Sequence, residues 1–462
     1  MICFFSCPPA RWLGCIFVSF ALLIGCSGVH QVNTVVEPQI GEAKVPEPPT
    51  RSAETFAGDG WWDSFRDSQL ERYTEEALSQ NLELRALGSR IDQANAFLRQ
   101  ANSDLFPRVA FDGEYQNLWR DQRTDSTSLG LLLDWEIDVW GRLRSRSGSA
   151  RKTRDATIED WLGGRLLLSS VVAEVYFDVL EQYQQLQLVN DQIELNETLL
   201  ELTEFRFGQG QAGSVDVLQQ QQQLEATQAR KPLIEGQLAQ VKLSLNVLLG
   251  EQPGNELKMK PRNLAYPPSL PEVGVSSDLL VNRPDLRAFQ AQIVALDYDV
   301  GEAVADRFPR FSISAAGAAT GPTGLDTLVA DASANLLGPV FEAGFRKAEV
   351  SRRRARLEEE LSSYSHAFLQ AVQEVESALV LEQKQRESLA IQEKQLQTAN
   401  KLLREARNRY SQGLTDYLPV LDALTTVQDL ERTVISSRRL LISYRVALHR
   451  ALGGPMPQKE DS

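Results

Sequence analysis

"LELRALGSRIDQANAFLRQANSDLFPRV" occupies residues 82–109, and "PDLRAFQAQIVALDYDVGEAVADRFPRF" occupies residues 284–311. The two stretches align without a gap. Leu84-Arg85-Ala86 matches Leu286-Arg287-Ala288, and Asp104, Phe106, Pro107 and Arg108 match Asp306, Phe308, Pro309 and Arg310, at an offset of 202. Farther along, "RFGQGQAGSVDVL" (206–218) matches "RYSQGLTDYLPVL" (409–421) and Leu249-Gly250 matches Leu452-Gly453, now at an offset of 203. One slipped residue over roughly 170 positions is hard to produce by chance, so the chain is two copies of one structural unit.

Each copy reads helix, two strands, long helix, turn, long helix. Residues 83–105 carry helix formers and stop before Pro107, as a helix must. The period then changes to two. In "RVAFDGEY" Val109, Phe111, Gly113 and Tyr115 point one way and Ala110, Asp112 and Glu114 the other; in "SLGLLLDWEID" Leu129, Leu131, Leu133, Trp135 and Ile137 share a face. Alternation over about ten residues suits a membrane barrel strand. A half-buried strand in water fits either segment alone equally well. In the second copy Phe311, Ile313 and Ala315 alternate with Ser312, Ser314 and Ala316, whereas 330–341 alternates poorly. Long helical stretches follow. Residues 145–209 lack Pro and would span roughly 100 Å as one helix. Positions 175, 179, 182, 186, 189, 193, 196, 200, 203 and 207 alternate four-three, as in a coiled-coil seam; the second copy offers Leu389, Leu396, Ala399, Leu403, Ala406 and Tyr410. The Gln-rich run 219–223 reads as a solvated helix face, and Pro232 as a kink in the returning helix.

These patterns divide the chain into a signal peptide (1–25), an extended tether (26–60), repeat 1 (61–250, strands in 108–138, helical hairpin 145–249), a linker (251–275), repeat 2 (276–454, strands in 309–341, hairpin 345–452) and a tail (455–462). Four strands are too few for a barrel with a lumen, for which eight is near the minimum. An open sheet edge in lipid is intolerable, so strands placed in a membrane require several chains to share one barrel.

The chain has 462 residues, with 48 Lys+Arg against 62 Asp+Glu. That balance argues against a general nucleic-acid binder. All four Cys, at 3, 7, 15 and 26, lie in the first 26 residues, which excludes a disulfide framework elsewhere. Residues 12–24 form an apolar core of signal-peptide length after Arg11, and Leu23-Ile24-Gly25-Cys26 resembles a bacterial lipobox. Cys26 is then the lipidated first residue of the mature chain, with Ser27 favouring outer-membrane sorting. An ordinary signal peptide with an incidental Cys is the competing reading. His30, His366 and His449 form no spaced ligand set, and no Gly-rich phosphate loop occurs. The expectation is a chain with no catalytic, metal or cofactor site, hence not an enzyme.

The sequence resembles the TolC/OprM family of outer-membrane efflux proteins, and within it the NodT-like lipoprotein branch. The residues that carry the resemblance are Cys26 in its lipobox, "WWDSFRDSQL", "NLELRAL", "WEIDVWGRLRS" (135–145), "NRPDLRA" (282–288), "RYSQGLTDYLPVLDA" (409–423) and "HRALGG" (449–454). It implies an α+β fold of two tandem repeats, with long coiled-coil helices and four barrel strands per chain. Three chains would form a twelve-stranded β-barrel in the bacterial outer membrane and an α-helical periplasmic tunnel. The implied function is the passive exit duct of a tripartite efflux system for small molecules. The implied partners are two further copies in a homotrimer, outer-membrane lipid, a periplasmic membrane-fusion adaptor and an inner-membrane RND transporter. An outlet for type I protein secretion or metal-ion efflux is the alternative within that class; a periplasmic adaptor or structural coiled coil is the alternative outside it.

By resemblance, Asp216 and Tyr410 form a hydrogen-bonded gate and Asp422 belongs to an acidic selectivity ring. Asp422 matches the second carboxylate of that ring, and Pro419 stands where the other usually is. Arg206, Gly210, Arg409 and Gly413 mark hairpin tips that contact the adaptor; the two glycines also suit left-handed helix ends. Asp112, Glu114, Asp134 and Glu136 would line the barrel. A helix-start charge for Asp216, a seam position for Tyr410 and simple solvation for the four strand carboxylates are the structural alternatives.

Overall fold

The computed structural model describes residues 30–31, 60–119, 123–267, 282–321 and 325–454. The signal peptide 1–25, Cys26, nearly all of the 26–60 tether and the 455–462 tail lie outside the described residues, as does the second part of the linker. The elements are a 3-10 turn at Trp61–Phe65, then α1 (Ser68–Gln80), α2 (Leu82–Ser103), β1 (Arg108–Trp119), β2 (Arg123–Ile137), α3 (Arg142–Gly208) and α4 (Ser214–Leu248). The second repeat supplies α5 (Pro284–Ala305), β3 (Arg310–Gly321), β4 (Thr327–Leu337), α6 (Phe345–Ser411) and α7 (Leu418–Ala451). Helices α3 and α6 are 67 residues each and start 203 residues apart, so the repeat offset holds along their whole length.

The chain divides into two compact units, and each takes segments from both repeats. The first contains residues 90–158 and 287–365 and holds the sheet. Its four strands are antiparallel in the order β1-β2-β3-β4. β2 and β3 come from different repeats, so the repeats are joined through a strand ladder from Ile137↔Phe311 to Thr127↔Gly321. β4 begins three residues before the 330–341 stretch singled out in the sequence and ends at Leu337. Its alternation is hidden because Ala330, Ala332 and Ala334 carry little hydropathy signal against Asp331, Ser333 and Asn335. Below the strands Trp140 stacks on Phe308 and its indole N–H donates to the Pro309 carbonyl at 2.7 Å, so the second Phe-Pro helix stop serves packing as well as chain reversal. His30 joins this unit through a 2.8 Å hydrogen bond to Asp297.

The second unit contains 60–89, 159–286 and 366–454 among its described parts. Its core gathers Trp61, Leu70, Tyr73, Val172, Tyr176, Phe177, Val179, Leu245, Leu249 and Val446. Two of the motifs that carried the family resemblance, "WWDSFRDSQL" and "HRALGG", meet here. Trp61 lies 5.2 Å from the His449 ring, and Ser64 hydrogen-bonds His449 at 3.2 Å. The two repeats close by the same joint. In the first, the Asn81 amide donates to the Leu248 carbonyl and Gly250, at φ +75°, packs on the Gln80 carbonyl. In the second, Arg283 donates to the Ala451 carbonyl and Gly453, at φ +79°, packs on Arg283. A Cβ at Gly250 would sit 2.6 Å from Gln80 O, so both space and the positive φ demand glycine there.

The seam of α3 is rotated from the sequence expectation. Gln185, Val189, Gln192, Asn196, Leu199 and Thr203 are buried, while Leu186, Ile193 and Leu200 are only half-buried and Phe207 is exposed. The polar members survive burial because each finds a partner, such as Gln192 with the Gln428 carbonyl and Glu431. The Gln-rich run is not simply a solvated face. Gln220 is fully buried, and Gln223 donates to Gln428 at 2.8 Å. α4 runs from Ser214 to Leu248 as one helix that includes Pro232.

Candidate functional site

Two regions carry the predicted functional residues. In the sheet, directly paired residues point to the same face. The register therefore places Val109, Phe111, Leu131, Leu133, Trp135, Ile137, Ile313, Leu328 and Leu336 on one face, filled in by Ala315, Gly317, Ala319, Ala330, Ala332 and Ala334. These are all apolar, and the face turns polar farther along, at Thr127, Asn117 and Asp125. The opposite face carries Asp112, Glu114, Asp134 and Glu136 together with Asp331, Ser312, Ser314 and Asn335, interrupted by Leu132, Val329 and Leu337. The four predicted carboxylates thus share one surface. Asp134 accepts from Ser314 Oγ at 3.2 Å, and Glu136 takes a bidentate pair from Arg142 at 2.9 and 2.7 Å. The apolar face is largely exposed, and the outer edges of β1 and β4 have no strand partner among the described residues.

The hairpin tips are the second region. α3 ends with Gln211 N–H bonded to the Arg206 carbonyl and Gly210 at φ +70°; α6 ends with Leu414 N–H bonded to the Arg409 carbonyl and Gly413 at φ +71°. Both are six-to-one helix stops that need a left-handed residue. The tips flank an open cleft of 510 Å³ lined by Arg206, Gly213, Asp216, Tyr410, Thr415 and Asp416, among others. Arg409 is exposed, whereas Arg206 lies with its guanidinium 4.5 Å above the Tyr410 ring.

The expected hydrogen bond between Tyr410 and Asp216 is absent. Asp216 Oδ2 instead accepts from the Gly213 N–H at 3.0 Å, capping the helix it begins. The backbone donor at the start of α4 is three residues away and already oriented, so it wins over a tyrosine on another helix. The Tyr410 hydroxyl is buried without a hydrogen-bond partner among the described residues. Burial raises its pKa, the Arg206 charge opposes that rise, and the Asp216 charge adds to it. Asp422 is exposed on α7, and Pro419 stands in the first turn of that helix, where a missing N–H leaves no bond unmade.

Sequence reasoning missed the polar chain behind the tip. The Tyr417 hydroxyl donates to Gln220 Oε1 at 2.5 Å, Gln220 Nε2 donates to the Asn196 carbonyl at 2.9 Å, and Asn196 Nδ2 donates to Thr227 Oγ1 at 3.0 Å. Burial pushes the Tyr417 hydroxyl up to about 12, so it remains a donor at any physiological pH. The available signal was polar side chains at heptad seam positions, Asn196 and Thr203, which only a partnered interior tolerates.

A family model described as outer membrane efflux protein matches residues 74–251 and 275–454. The chain is 30% identical over 414 residues to the pyoverdine export outer membrane protein OpmQ of Pseudomonas aeruginosa, covering 85% of this chain and 87% of that protein. It is 27% identical over 427 residues to the cation efflux system protein CusC of Escherichia coli, covering 87% and 90%. Among solved structures, CusC matches with a TM-score of 0.82 at 25% identity over 89% of this chain and 99% of that one. The outer-membrane channel OprN matches with a TM-score of 0.82 at 25% identity over 93% and 99%.

Proposed function

The chain belongs to the outer membrane efflux protein family and is an outer-membrane export channel, and from that premise we propose how it is assembled and gated. Three copies close one twelve-stranded barrel. Cys26 anchors each copy through acyl chains. The hairpin tips meet a periplasmic adaptor that links the duct to an inner-membrane RND pump. The duct does no chemistry of its own; cargo delivered by the pump leaves passively.

The observation that carries this reading is the sheet: one face apolar up to Tyr115 and Leu129 and polar only beyond them, the other acidic, both edges open among the described residues. In lipid an open edge leaves each N–H and C=O unpaired at several kcal/mol apiece. Joining β4 of one copy to β1 of the next removes every edge, and three copies reach a strand count with a usable lumen. The half-buried apolar row Leu186, Ile193 and Leu200 on α3 gives neighbouring copies a second surface to cover.

At the tip, Arg206 over the Tyr410 ring braces the closed state, Asp216 holds the start of α4, and Asp422 supplies the acidic ring. Arg409, Gly210 and Gly413 present the outer tip to the adaptor. Cargo choice lies with the pump. OpmQ exports pyoverdine and CusC belongs to a cation efflux system, and both are similar in sequence to this chain.

Cross-linking in detergent followed by planar-bilayer recording tests the reading. The expected ladder ends at three, and only the trimer conducts. Tyr410→Leu opens the channel while Tyr410→Phe, which keeps the ring under Arg206, does not. A monodisperse monomer with intact strand content would refute the shared barrel.

A further inference from the structure

Helices generally carry acidic residues in the first turn, where the macrodipole is positive. α3 and α6 have none there. Residues 142–154 instead hold six Lys and Arg with no carboxylate, and 345–356 hold six with one, Glu349, in a chain of net charge −14. Both stretches belong to the unit that holds the sheet, and they begin a few residues after β2 and β4 end.

Most of this charge is neutralised locally. Arg142 pairs with Glu136, Arg144 with Asp138, Arg146 with Asp104, Lys152 and Arg154 with Asp155, Arg346 with Glu342 and Asp306, Arg352 with Glu349, and Arg353 with Glu349 and Asp299. Arg151, Lys347, Arg354 and Arg356 are exposed and have no carboxylate partner among the described residues. The internal repeat adds an independent observation. Arg144 and Arg151 match Lys347 and Arg354 at the offset of 203, although few of the residues around them match. Seven residues apart, each pair shares one face of its helix. Two copies that diverged almost everywhere nearby have kept exposed cations at the same two places, against the helix dipole.

We propose that the first three turns of α3 and α6 form a cationic collar for the phosphate groups of anionic phospholipid in the periplasmic leaflet. This rests on the barrel reading, because the apolar sheet face ends at Ile137, Phe311 and Leu336, beside the helix starts. Lipid that covers that face puts its headgroups against the collar. Long Arg and Lys side chains bridge the remaining distance, keeping their stems on apolar surface and their charge at the headgroup level. A basic residue at an anionic surface strengthens binding about fivefold, and the effect falls with salt.

The test is native mass spectrometry of the detergent-purified full chain titrated with phosphatidylglycerol, phosphatidylcholine or inorganic phosphate. The parent should hold phosphatidylglycerol at least tenfold tighter than phosphatidylcholine and lose that preference in high salt. The triple variant Arg151→Gln, Lys347→Gln, Arg354→Gln should bind phosphatidylglycerol about a hundredfold more weakly. Its single-channel conductance should be unchanged, which separates this result from a failure of the barrel itself. Should the triple variant not assemble, Arg354→Gln alone should lose about fivefold. Equal affinity for the two lipids, salt-independent binding, undiminished binding by the variants, or displacement of lipid by millimolar inorganic phosphate would each overturn the proposal.

Discussion

Val179 and Glu382 occupy matched positions in the two repeats, 203 residues apart, and both are fully buried. Around Val179 the interior is apolar, with Val172, Tyr176 and Leu245, while Lys242 lies 4.6 Å above the Tyr183 ring nearby. At the same offset, Tyr183 becomes Arg386 and Lys242 becomes Arg445. Arg445 grips Glu382 in a bidentate pair at 2.8 and 2.5 Å, and Arg386 adds a third contact at 3.0 Å. One backbone plan thus supports an apolar interior in one copy and an ionic one in the other. What the repeat preserves is where the chain turns and which faces meet; what fills the space has been free to change so long as a buried charge such as Glu382 is paired.

The largest expected effect tests that freedom. Arg445→Met leaves the Glu382 carboxylate buried with Arg386 as its one remaining cation among the described residues, and should destabilise the fold by about 3–5 kcal/mol. The double variant Glu382→Val, Arg445→Leu installs the valine of the first repeat in place of Glu382 and removes both charges together. Its cost should be small, and it could stabilise by about 1–4 kcal/mol. Denaturant unfolding followed by helical circular dichroism measures all three chains. A double variant as unstable as Arg445→Met would show that the two solutions are not interchangeable.

A second difference lies one turn farther on. Asn246 in the first repeat is matched by His449 in the second, and both are buried. The Asn246 amide donates to the Asn255 carbonyl and does not titrate. His449 Nδ1 donates to the Gly454 carbonyl at 3.3 Å, so neutral His449 accepts from the Ser64 hydroxyl at Nε2. Burial, together with the Arg445 charge, holds its pKa down at about 4, although the Gly454 hydrogen bond opposes the shift. Unfolded, the ring takes a proton near 6.5. Between these values the unfolded chain binds more protons, so stability falls as pH drops from 6.5 to 4, by about 3 kcal/mol. His449→Asn, which installs the residue of the first repeat, should remove most of that slope. Parent and variant with the same slope from pH 7 to pH 4 would assign the acid sensitivity to other groups.

The repeat was legible because it rests on backbone punctuation: Pro107 and Pro309 stop helices, and Gly250 and Gly453 require positive φ. Three strands were legible by period. β4 was not, because alanine at Ala330, Ala332 and Ala334 suffices against lipid yet scores as neither core nor surface. The seam of α3 was displaced because apolar residues were assumed to be the buried ones. Leu186 and Ile193 face outward from the protomer while Gln185 and Gln192 are buried with partners on α7. The motifs pointed to the tips, but the partner of Asp216 depends on a competition between a local N–H and a distant hydroxyl, and sequence carries no distance.

The smallest effect compares the starts of the two returning helices. Asp216 and Pro419 are matched at the offset of 203 and solve the same problem differently. Asp216 caps α4 by accepting from the Gly213 N–H, and its negative charge suits the helix N-terminus. Pro419 in the first turn of α7 avoids the problem, since it has no N–H to satisfy and its φ is already helical. Asp216→Ala should therefore cost about 0.5–2 kcal/mol, seen as faster hydrogen exchange confined to the first turn of α4. Pro419→Asp should change stability by less, since it exchanges a fixed φ for a favourable charge. Its electrical effect should be larger. The new carboxylate lies one turn before Asp422 on an exposed stretch of α7, and a helix brings residues three apart onto one side. Blockade by trivalent cations in planar bilayers should then strengthen in Pro419→Asp and weaken in Asp422→Ala. Equal blockade in all three channels would place both residues away from the conducting path.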